Sequence, residues 1–186
     1  FLNYIKNSFR KVIGFEINKS ATLYAKDKFK LNVINSSFLN YDFKNNKFDI
    51  FCMWDTIEHL PNPDDYIKKI SSISKQNSII AITTGDIKSI SSRMNKGNWR
   101  LIQKPEHLHY FSKTSLENLL KINGFEIIHC KYLGNYRSIL FMLSNIKIIK
   151  KYFSWVIKIY IFLKIPNFKI YLNLFDILYV IARKKY

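Results

Sequence analysis

The stretch from Phe48 to Leu60 constrains the fold of this chain more than any other. Residues 48–54 read Phe-Asp-Ile-Phe-Cys-Met-Trp, an almost unbroken apolar run that ends at once in Asp55. A Pro-Asn-Pro sequence follows at 61–63 and stops any regular element there. A short apolar run bounded by such signals is typical of a buried strand, and in open α/β sheets ligands bind where such strands end. We therefore expect a strand over 48–54 with a ligand site at its carboxyl end.

Apolar strands alternate with amphipathic helices along most of the chain. The pattern predicts helices at 21–28, 64–74 and 112–123. It predicts strands at 11–17, 31–35, 48–54, 78–84, 125–133 and 174–183. This alternation indicates an α/β fold around a mostly parallel sheet. The 186 residues suffice for one domain with a sizeable core.

The formal net charge of +17 makes nucleic acid or an anionic membrane a candidate partner. The alternative is that Lys is abundant together with Asn, Ile, Phe and Tyr, so that positive charge is spread over the whole surface. No nucleic-acid-binding motif accompanies the charge, and we expect no nucleic acid partner. Cys52 and Cys130 are too few and too isolated for a disulfide framework or a zinc site. Both lie in apolar runs, so we expect buried free thiols in a cytoplasmic protein.

Five motifs stand in a fixed order along nearly the whole chain. They are Val-Ile-Gly-Phe-Glu at 12–16, the run at 48–61, Trp99 with Pro-Glu-His-Leu-His-Tyr-Phe-Ser at 105–112, Asn-Gly-Phe-Glu at 123–126, and the apolar end at 176–184. Together they resemble the class I S-adenosylmethionine-dependent methyltransferases, and most closely the subgroup that includes ubiquinone-pathway and cell-surface-sugar methyltransferases. The resemblance implies a Rossmann-like sheet with helices on both faces and an antiparallel last strand.

The resemblance also implies what precedes this chain and what the protein does. The family's first strand and Gly-rich turn would lie before Phe1, so we expect one methyltransferase domain over 1–186 that is incomplete at its N-terminus and inactive in that form. S-adenosylmethionine is the implied cofactor, and the implied reaction is O-methylation of a small-molecule or sugar acceptor. An RNA or protein methyltransferase and a noncatalytic partner of the same fold remain the alternatives.

Residues at the ends of the first three predicted strands are the candidates for the cofactor site. A carboxylate at Glu16 could accept hydrogen bonds from both ribose hydroxyls, and Ile17 could pack against the adenine. The resemblance implies that Ser37 and Phe38, which follow the next strand, meet the adenine amino group. An indole at Trp54 could attract the sulfonium by a cation–π interaction. The alternatives are that Glu16 is a surface acid, that the residues after the second strand form a plain turn, and that Trp54 packs in the core. The full set is Glu16, Ile17, Ser37, Phe38, Trp54 and Asp55.

Three histidines are the candidates for catalysis. His107 and His109 alternate with Leu108, so on an extended segment both rings point the same way. Either could take a proton from an acceptor hydroxyl, and His109 is favoured; a pair of structural histidines is the alternative. His59 is the third candidate. It adjoins Glu58, but two adjacent side chains are poor evidence for a cation, so we expect no metal site.

Two further segments bear on the acceptor and on partners. Trp99 and Arg100 are the candidates for contact with substrate, and an Arg suits a carboxylate or phosphate. Residues 136–164 contain six Lys or Arg and no acid, among Ile, Phe, Trp and Tyr. We expect a basic amphipathic insert at about 136–170. It could contact the inner face of a membrane peripherally, or it could form a lid or dimer face with solvated lysines.

Overall fold

The computed structural model describes residues 1–140, 154–163 and 166–185. The helices are α1 Leu2–Ile5, α2 Lys19–Phe29, α3 Pro63–Ser72, α4 Ile90–Asn95, α5 Lys113–Ile122 and α6 Ser154–Phe162, with 3₁₀ turns at Ile57–His59 and Lys96–Asn98. The strands are β1 Gly14–Phe15, β2 Val33–Ile34, β3 Phe48–Trp54, β4 Ser74–Gly85, β5 Phe125–Tyr132, β6 Asn135–Ser138, β7 Lys169–Leu172 and β8 Ile177–Lys184. The element types agree with the sequence prediction except in the amphipathic insert predicted at about 136–170, which includes the strands β6 and β7 as well as α6.

The main sheet has four strands in the order β3-β4-β8-β5. β3 and β4 are parallel, whereas β8 runs antiparallel to both of its neighbours. The α/β fold and the antiparallel last strand predicted from the sequence are therefore confirmed. The sheet is less parallel than the alternation alone indicated, because β8 returns between β4 and β5 after a long excursion of the chain.

β1 and β2 form a separate parallel pair, in which Gly14 lies opposite Val33 and Phe15 opposite Ile34. Strands were predicted over 11–17 and 31–35, and each is reduced to two residues. Just after β1 the Asn35 side chain holds the chain, because its Nδ2 donates to the carbonyls of Glu16 at 2.9 Å and of Ile17 at 3.0 Å. From there the chain turns into α2.

The core lies between one face of the main sheet and the helices α3 and α5. Ile67 and Ile70 of α3 pack with Leu116 and Leu120 of α5 against apolar side chains of the sheet. Both pairs are three or four residues apart, which places each on one helix face. On the opposite face of the sheet, Ile50 is exposed.

The prediction that both cysteines are buried is wrong for Cys52, which lies on this open face. Cys52 is exposed and Cys130 is half-buried, although both thiols are free as expected. Cys52 alternates with Met53 along β3, and Met53 is the residue of the two that faces the core. Partial desolvation of the sulfur by its neighbours nevertheless raises the pKa of the Cys52 thiol above its ordinary value, which disfavours the thiolate.

Among the described residues, none of the helices is long and apolar enough to span a membrane.

α5 begins and ends as its sequence predicts. The Ser112 side chain accepts from the Ser115 backbone N–H, and the Ser115 side chain accepts from the Ser112 N–H, which forms a capping box. At the other end the chain turns at Gly124, whose φ of 83° is in the left-handed region.

Replacing Gly124 by Ala should lower the free energy of unfolding by about 1 kcal/mol, because an L side chain is strained at this φ. Gly97 is the matched control: it has no positive φ, and a Cβ built there meets nothing within 4 Å. Urea unfolding of Gly124→Ala and Gly97→Ala compares the two. Equal losses would show that the left-handed turn at Gly124 is not the cause.

Candidate active site

A cleft opens where β3 and β4 end and the segment 99–110 crosses over them. The 3₁₀ turn after β3 supplies Glu58, and the end of β4 supplies Thr84 and Gly85. The backbone N–H groups of Leu108 and His109 both donate to the Glu58 carbonyl, at 2.9 and 3.0 Å, which ties the crossing segment to the turn. Its free space is about 10 Å³, which is room for about one water-sized group. The lining residues are Glu58, Thr84, Gly85, Trp99, Leu101, His107, His109 and Tyr110.

Glu58 is the most unusual side chain of the cleft. It is only 5% exposed, and its Oε2 has no hydrogen-bond partner among the described residues. Burial raises the pKa of this carboxyl above its ordinary value of 4.5. The Glu58 backbone N–H and the nearby Thr84 hydroxyl favour the charged form and oppose this rise, and the charge of Asp55 adds a smaller rise. A buried carboxylate with a vacant oxygen and a raised pKa is suited to accept a proton from a bound ligand.

Other buried polar atoms of this region also lack partners. Thr84 Oγ1 and Tyr110 OH line the cleft, and Trp54 Nε1 lies at the end of β3; none of the three has a hydrogen-bond partner in the described part of the chain. Buried polar groups are nearly always paired in folded proteins. A group of unpaired ones around a cleft therefore indicates that a polar ligand completes their hydrogen bonds.

The three histidines predicted to be catalytic lie close together. The rings of His59 and His107 meet edge to face with centroids 4.6 Å apart. His59 Nδ1 lies 2.9 Å from the Glu106 carbonyl, and His109 Nε2 lies 3.2 Å from the Pro61 carbonyl. A carbonyl can only accept, so these two ring nitrogens carry hydrogens and the opposite nitrogens are left as acceptors.

Glu58, His59 and His107 could also hold a cation. One ligand atom from each lies within 4.8 Å of the others. Sequence reasoning expected no metal here and offered only Glu58 and His59 as weak candidates. The fold adds His107, which is distant in sequence and could not be assigned to this group from spacing alone.

The raised pKa of Glu58 predicts a specific dependence of stability on pH. Because the folded state holds this proton more tightly than the unfolded state, the free energy of unfolding falls as pH rises from about 4.5 through the folded pKa. Glu58→Gln removes this loss, so the variant should become more stable than the wild type at neutral pH and match it at pH 4. Urea unfolding at several pH values measures the difference. A constant difference across that range would contradict the assignment.

Trp99 and Arg100 were predicted to contact substrate. In the structure both side chains donate hydrogen bonds to the buried carboxylate of Asp176. Trp99 Nε1 donates to Asp176 Oδ2 at 3.0 Å. Arg100 donates from Nε to Oδ2 at 3.2 Å and from its terminal nitrogen to Oδ1 at 2.7 Å. Asp176 is fully buried, so this pairing fixes one wall of the cleft. Contact of Trp99 or Arg100 with substrate stays a prediction.

The tight contact at Gly85 explains how that wall reaches the sheet. A Cβ built on Gly85 would lie 2.8 Å from Leu101 Cδ1 and 3.0 Å from Trp99 Cη2. The absence of a side chain at the end of β4 therefore lets Trp99 and Leu101 pack directly over the strand.

The residues predicted to bind the cofactor fall into two groups. Glu16 and Ile17 directly follow β1, and Glu16 Oε1 accepts from the Asn18 N–H at 2.7 Å, which leaves its other oxygen for a ligand. Ile17 is exposed, and its contact with adenine stays a prediction. Phe38 packs edge to face on Phe15 with centroids 5.2 Å apart, and is thus part of the packing beside β1. Ser37 precedes it and is half-buried.

Trp54 and Asp55 lie in the other sheet, at the end of β3. Asp55 has a positive φ of 46°, and Thr83 Oγ1 both accepts from its backbone N–H and donates to its Oδ1, each at 2.9 Å. The Asp55 carboxylate is thereby aimed back at β4. Trp54 packs against Tyr179, with ring centroids 6.0 Å apart.

Sequence reasoning missed Thr84, Tyr110 and the burial of Glu58. The signal for Glu58 was present, because an acid between Ile57 and His59 stands directly after a predicted strand. Its burial could not be read from the sequence, because it arises when the segment 99–110 folds over the turn.

Comparison with known proteins agrees with the fold described above. A sequence profile of the family described as "Methyltransferase domain" matches residues 1–130. A search of curated proteins gave no match. Many solved structures are similar in fold.

Three of these structures illustrate the likeness. A SAM-dependent methyltransferase from Archaeoglobus fulgidus is 21% identical with a TM-score of 0.65, covering 99% of this chain and 80% of that one. A protein of Bacillus halodurans described as a candidate methyltransferase is 14% identical with a TM-score of 0.68, covering 99% and 87%. Magnesium protoporphyrin IX methyltransferase from Synechocystis, with bound SAH, is 11% identical with a TM-score of 0.58, covering 96% and 66%. At these identities the likeness shows the fold.

Proposed function

This chain belongs to the methyltransferase-domain family of S-adenosylmethionine-dependent enzymes, and we propose that its acceptor is a hydroxyl group of a small molecule or a glycan. The observation that carries the proposal is the buried, unpartnered oxygen of Glu58 in a small polar cleft. The acceptor class is inferred from that chemistry and not from the relatives, whose acceptors differ.

The residues present fit S-adenosylmethionine. Glu16 keeps a carboxylate oxygen for ribose hydroxyls, and the buried Trp54 Nε1 is an unpaired donor at the end of β3. Such strand ends are where α/β sheets bind ligands. When bound, the cofactor supplies an electrophilic methyl group.

The cleft suits a small hydroxylated acceptor. Thr84 Oγ1 and Tyr110 OH can each donate or accept a hydrogen bond, and Glu58 Oε2 can accept one. A ligand with hydroxyl groups would satisfy all three, whereas a purely apolar ligand would leave them unpaired at a cost of about 1–3 kcal/mol each. The free space of about 10 Å³ admits one hydroxyl-sized group of an acceptor and no larger body.

The chain's own contribution to the reaction is alignment and acceptance of a proton. An acceptor hydroxyl that donates its hydrogen bond to Glu58 has its oxygen lone pairs free on the other side. As that oxygen gains the methyl group, its proton passes to Glu58 Oε2, and the raised pKa of this carboxyl favours the transfer. A ring nitrogen of His107 lies within 4.8 Å of a carboxylate oxygen of Glu58, so this ring would be able to pass the proton on to water. Alignment supplies most of the rate.

The test begins with the full-length protein that contains this chain. Binding of S-adenosylmethionine is measured by calorimetry, and tritiated methyl transfer is then measured against separate panels of hydroxylated small molecules, glycans, amines, RNA and protein. We expect transfer to a hydroxylated small molecule or a glycan, with the methyl group recovered as an ether by mass spectrometry.

Two outcomes would overturn the proposal. Methyl transfer confined to RNA or protein would assign the cleft to a macromolecular substrate. A full-length protein that folds but does not bind S-adenosylmethionine would be a noncatalytic relative of the family.

A further inference from the structure

A basic arm leaves the body of the protein after β5 and returns before β8, and it is defined by its described residues, 135–140, 154–163 and 166–175. These residues contain three Lys or Arg and no Asp or Glu. The cations are Arg137, Lys158 and Lys169. Residues 141–153 and 164–165 of the predicted amphipathic insert lie outside the described residues.

β6 and β7 form a two-stranded antiparallel ribbon whose apolar side chains are uncovered. Every residue of β7 is exposed. Tyr136 and Tyr171 face each other across the ribbon with ring centroids 5.3 Å apart, and they are 70% and 51% exposed. Ile170 is also exposed, on the opposite face. Isolated ribbons are marginally stable in water, and exposed apolar patches mark interaction sites.

α6 adds a second uncovered apolar surface. It reads Ser-Trp-Val-Ile-Lys-Ile-Tyr-Ile-Phe, with Lys158 as its one charged residue. Trp155 is 55% exposed and Phe162 is 83% exposed. Tyr160 OH donates to the Pro166 carbonyl at 2.7 Å, which ties the helix to the chain leading into β7.

The base of the arm is fixed to the body. The Gly134 N–H donates to Tyr171 OH at 2.9 Å, and Asn173 Nδ2 donates to the Tyr132 carbonyl at 3.2 Å. The ribbon is therefore presented by the sheet in a defined place.

We propose that the basic arm binds the surface of an anionic lipid membrane. The argument is charge complementarity combined with exposed aromatic side chains. The three described cations, with no acid among the described residues of the arm, attract anionic headgroups, and tryptophan and tyrosine rings sit favourably at the lipid–water interface. A second copy of this arm would bring like charges together. Nucleic acid would neutralise the cations but would leave Phe162 and Ile170 exposed to water.

Vesicle flotation with the full-length protein tests the proposal. The protein is mixed with vesicles of phosphatidylcholine alone or with about one third phosphatidylglycerol. We expect strong binding only to the anionic vesicles, and weaker binding at 0.5 M salt because screening shortens the reach of each charge. Binding that is equal on both vesicles, or absent from both, would overturn the proposal.

Two pairs of variants locate the contact. Lys158→Ala with Lys169→Ala should weaken binding about 25-fold, at about fivefold for each cation near the surface. Lys26→Ala with Lys121→Ala, on α2 and α5, removes the same charge from exposed positions outside the arm and should leave binding nearly unchanged. Phe162→Ser with Phe168→Ser should also release the protein, whereas Ile122→Ser, at an exposed position on α5, should not.

Equal losses in the arm and control variants would show that the whole surface, and not the arm, is responsible. Sedimentation without lipid tests whether a second copy of the protein binds to the arm instead. A dimer that dissociates in Phe162→Ser with Phe168→Ser, together with no vesicle binding, would assign the arm to a second copy. Retention of RNA by the wild type with no binding to vesicles would assign it to nucleic acid. The methyl-transfer assay is independent of all these results.

Discussion

Replacing Glu58 by Gln should lower the rate of methyl transfer by about 10²–10⁴-fold, the usual contribution of a general base. The amide keeps the size of the side chain and can still accept a hydrogen bond, but it cannot take a proton. Substrate affinity should therefore change less than the rate. The measurement is kcat and KM for methyl transfer by the full-length protein at saturating cofactor, once an acceptor is identified.

Glu117→Gln is the matched control, since this carboxylate is exposed on α5 and is not among the residues that line the cleft. The activity of Glu117→Gln should equal that of the wild type. A Glu58→Gln variant that stays fully active would remove Glu58 from the reaction. Activity lost on treatment with EDTA and restored by Mn²⁺ would instead make Glu58 a cation ligand together with His59 and His107.

Replacing Asp176 by Ala should lower the free energy of unfolding by about 2–3 kcal/mol. The loss follows because the buried Trp99 Nε1 would be left without an acceptor, at a cost of about 1–3 kcal/mol. The guanidinium of Arg100 contributes less, because its side chain is 37% exposed and can turn to water. Urea unfolding monitored by circular dichroism gives the difference.

Asp49→Ala breaks a comparable contact at the surface, where Asp49 and Lys75 lie 2.9 Å apart and are 72% and 52% exposed. Its cost should stay within about 0.5 kcal/mol. Asp176→Asn keeps one acceptor for Trp99, so its loss in free energy of unfolding should lie between those of Asp49→Ala and Asp176→Ala. This variant provides the measurement if Asp176→Ala does not fold. Equal losses at positions 49 and 176 would contradict the view that Asp176 holds the wall of the cleft.

Much of the fold could be predicted because local patterns decide it. β3 matches the prediction over 48–54, since an apolar run bounded by polar residues is a local signal. Gly124 and Ser112 likewise fixed the ends of α5. β1 and β2 are shorter than predicted, and Asn35 donates to the carbonyls of Glu16 and Ile17 just after β1, a contact between segments that no periodicity reveals.

The candidate site was only partly predictable for a related reason. His59, His107 and His109 could be selected as chemically able residues, but their proximity depends on the path of the segment 99–110. The same holds for Trp99 and Arg100, which were selected for substrate and are bonded to Asp176, a partner more than 75 positions away in sequence. Residue type indicates what a side chain can do, whereas the fold decides which neighbour it meets.

The close approach at Gly134 has a consequence for how this protein can vary. A Cβ there would lie 2.6 Å from the Leu172 carbonyl, so the chain departs and returns at nearly the same point. Leu133 and Ile177, just outside that point, are joined by a backbone hydrogen bond of 2.9 Å, which keeps β5 and β8 in register whatever lies between them. The excursion is thus an insertion that evolution can lengthen, shorten or exchange among descendants while the catalytic body stays the same. A change in the location of the protein within the cell would then need only a different loop at this junction, with no change in the rest of the fold.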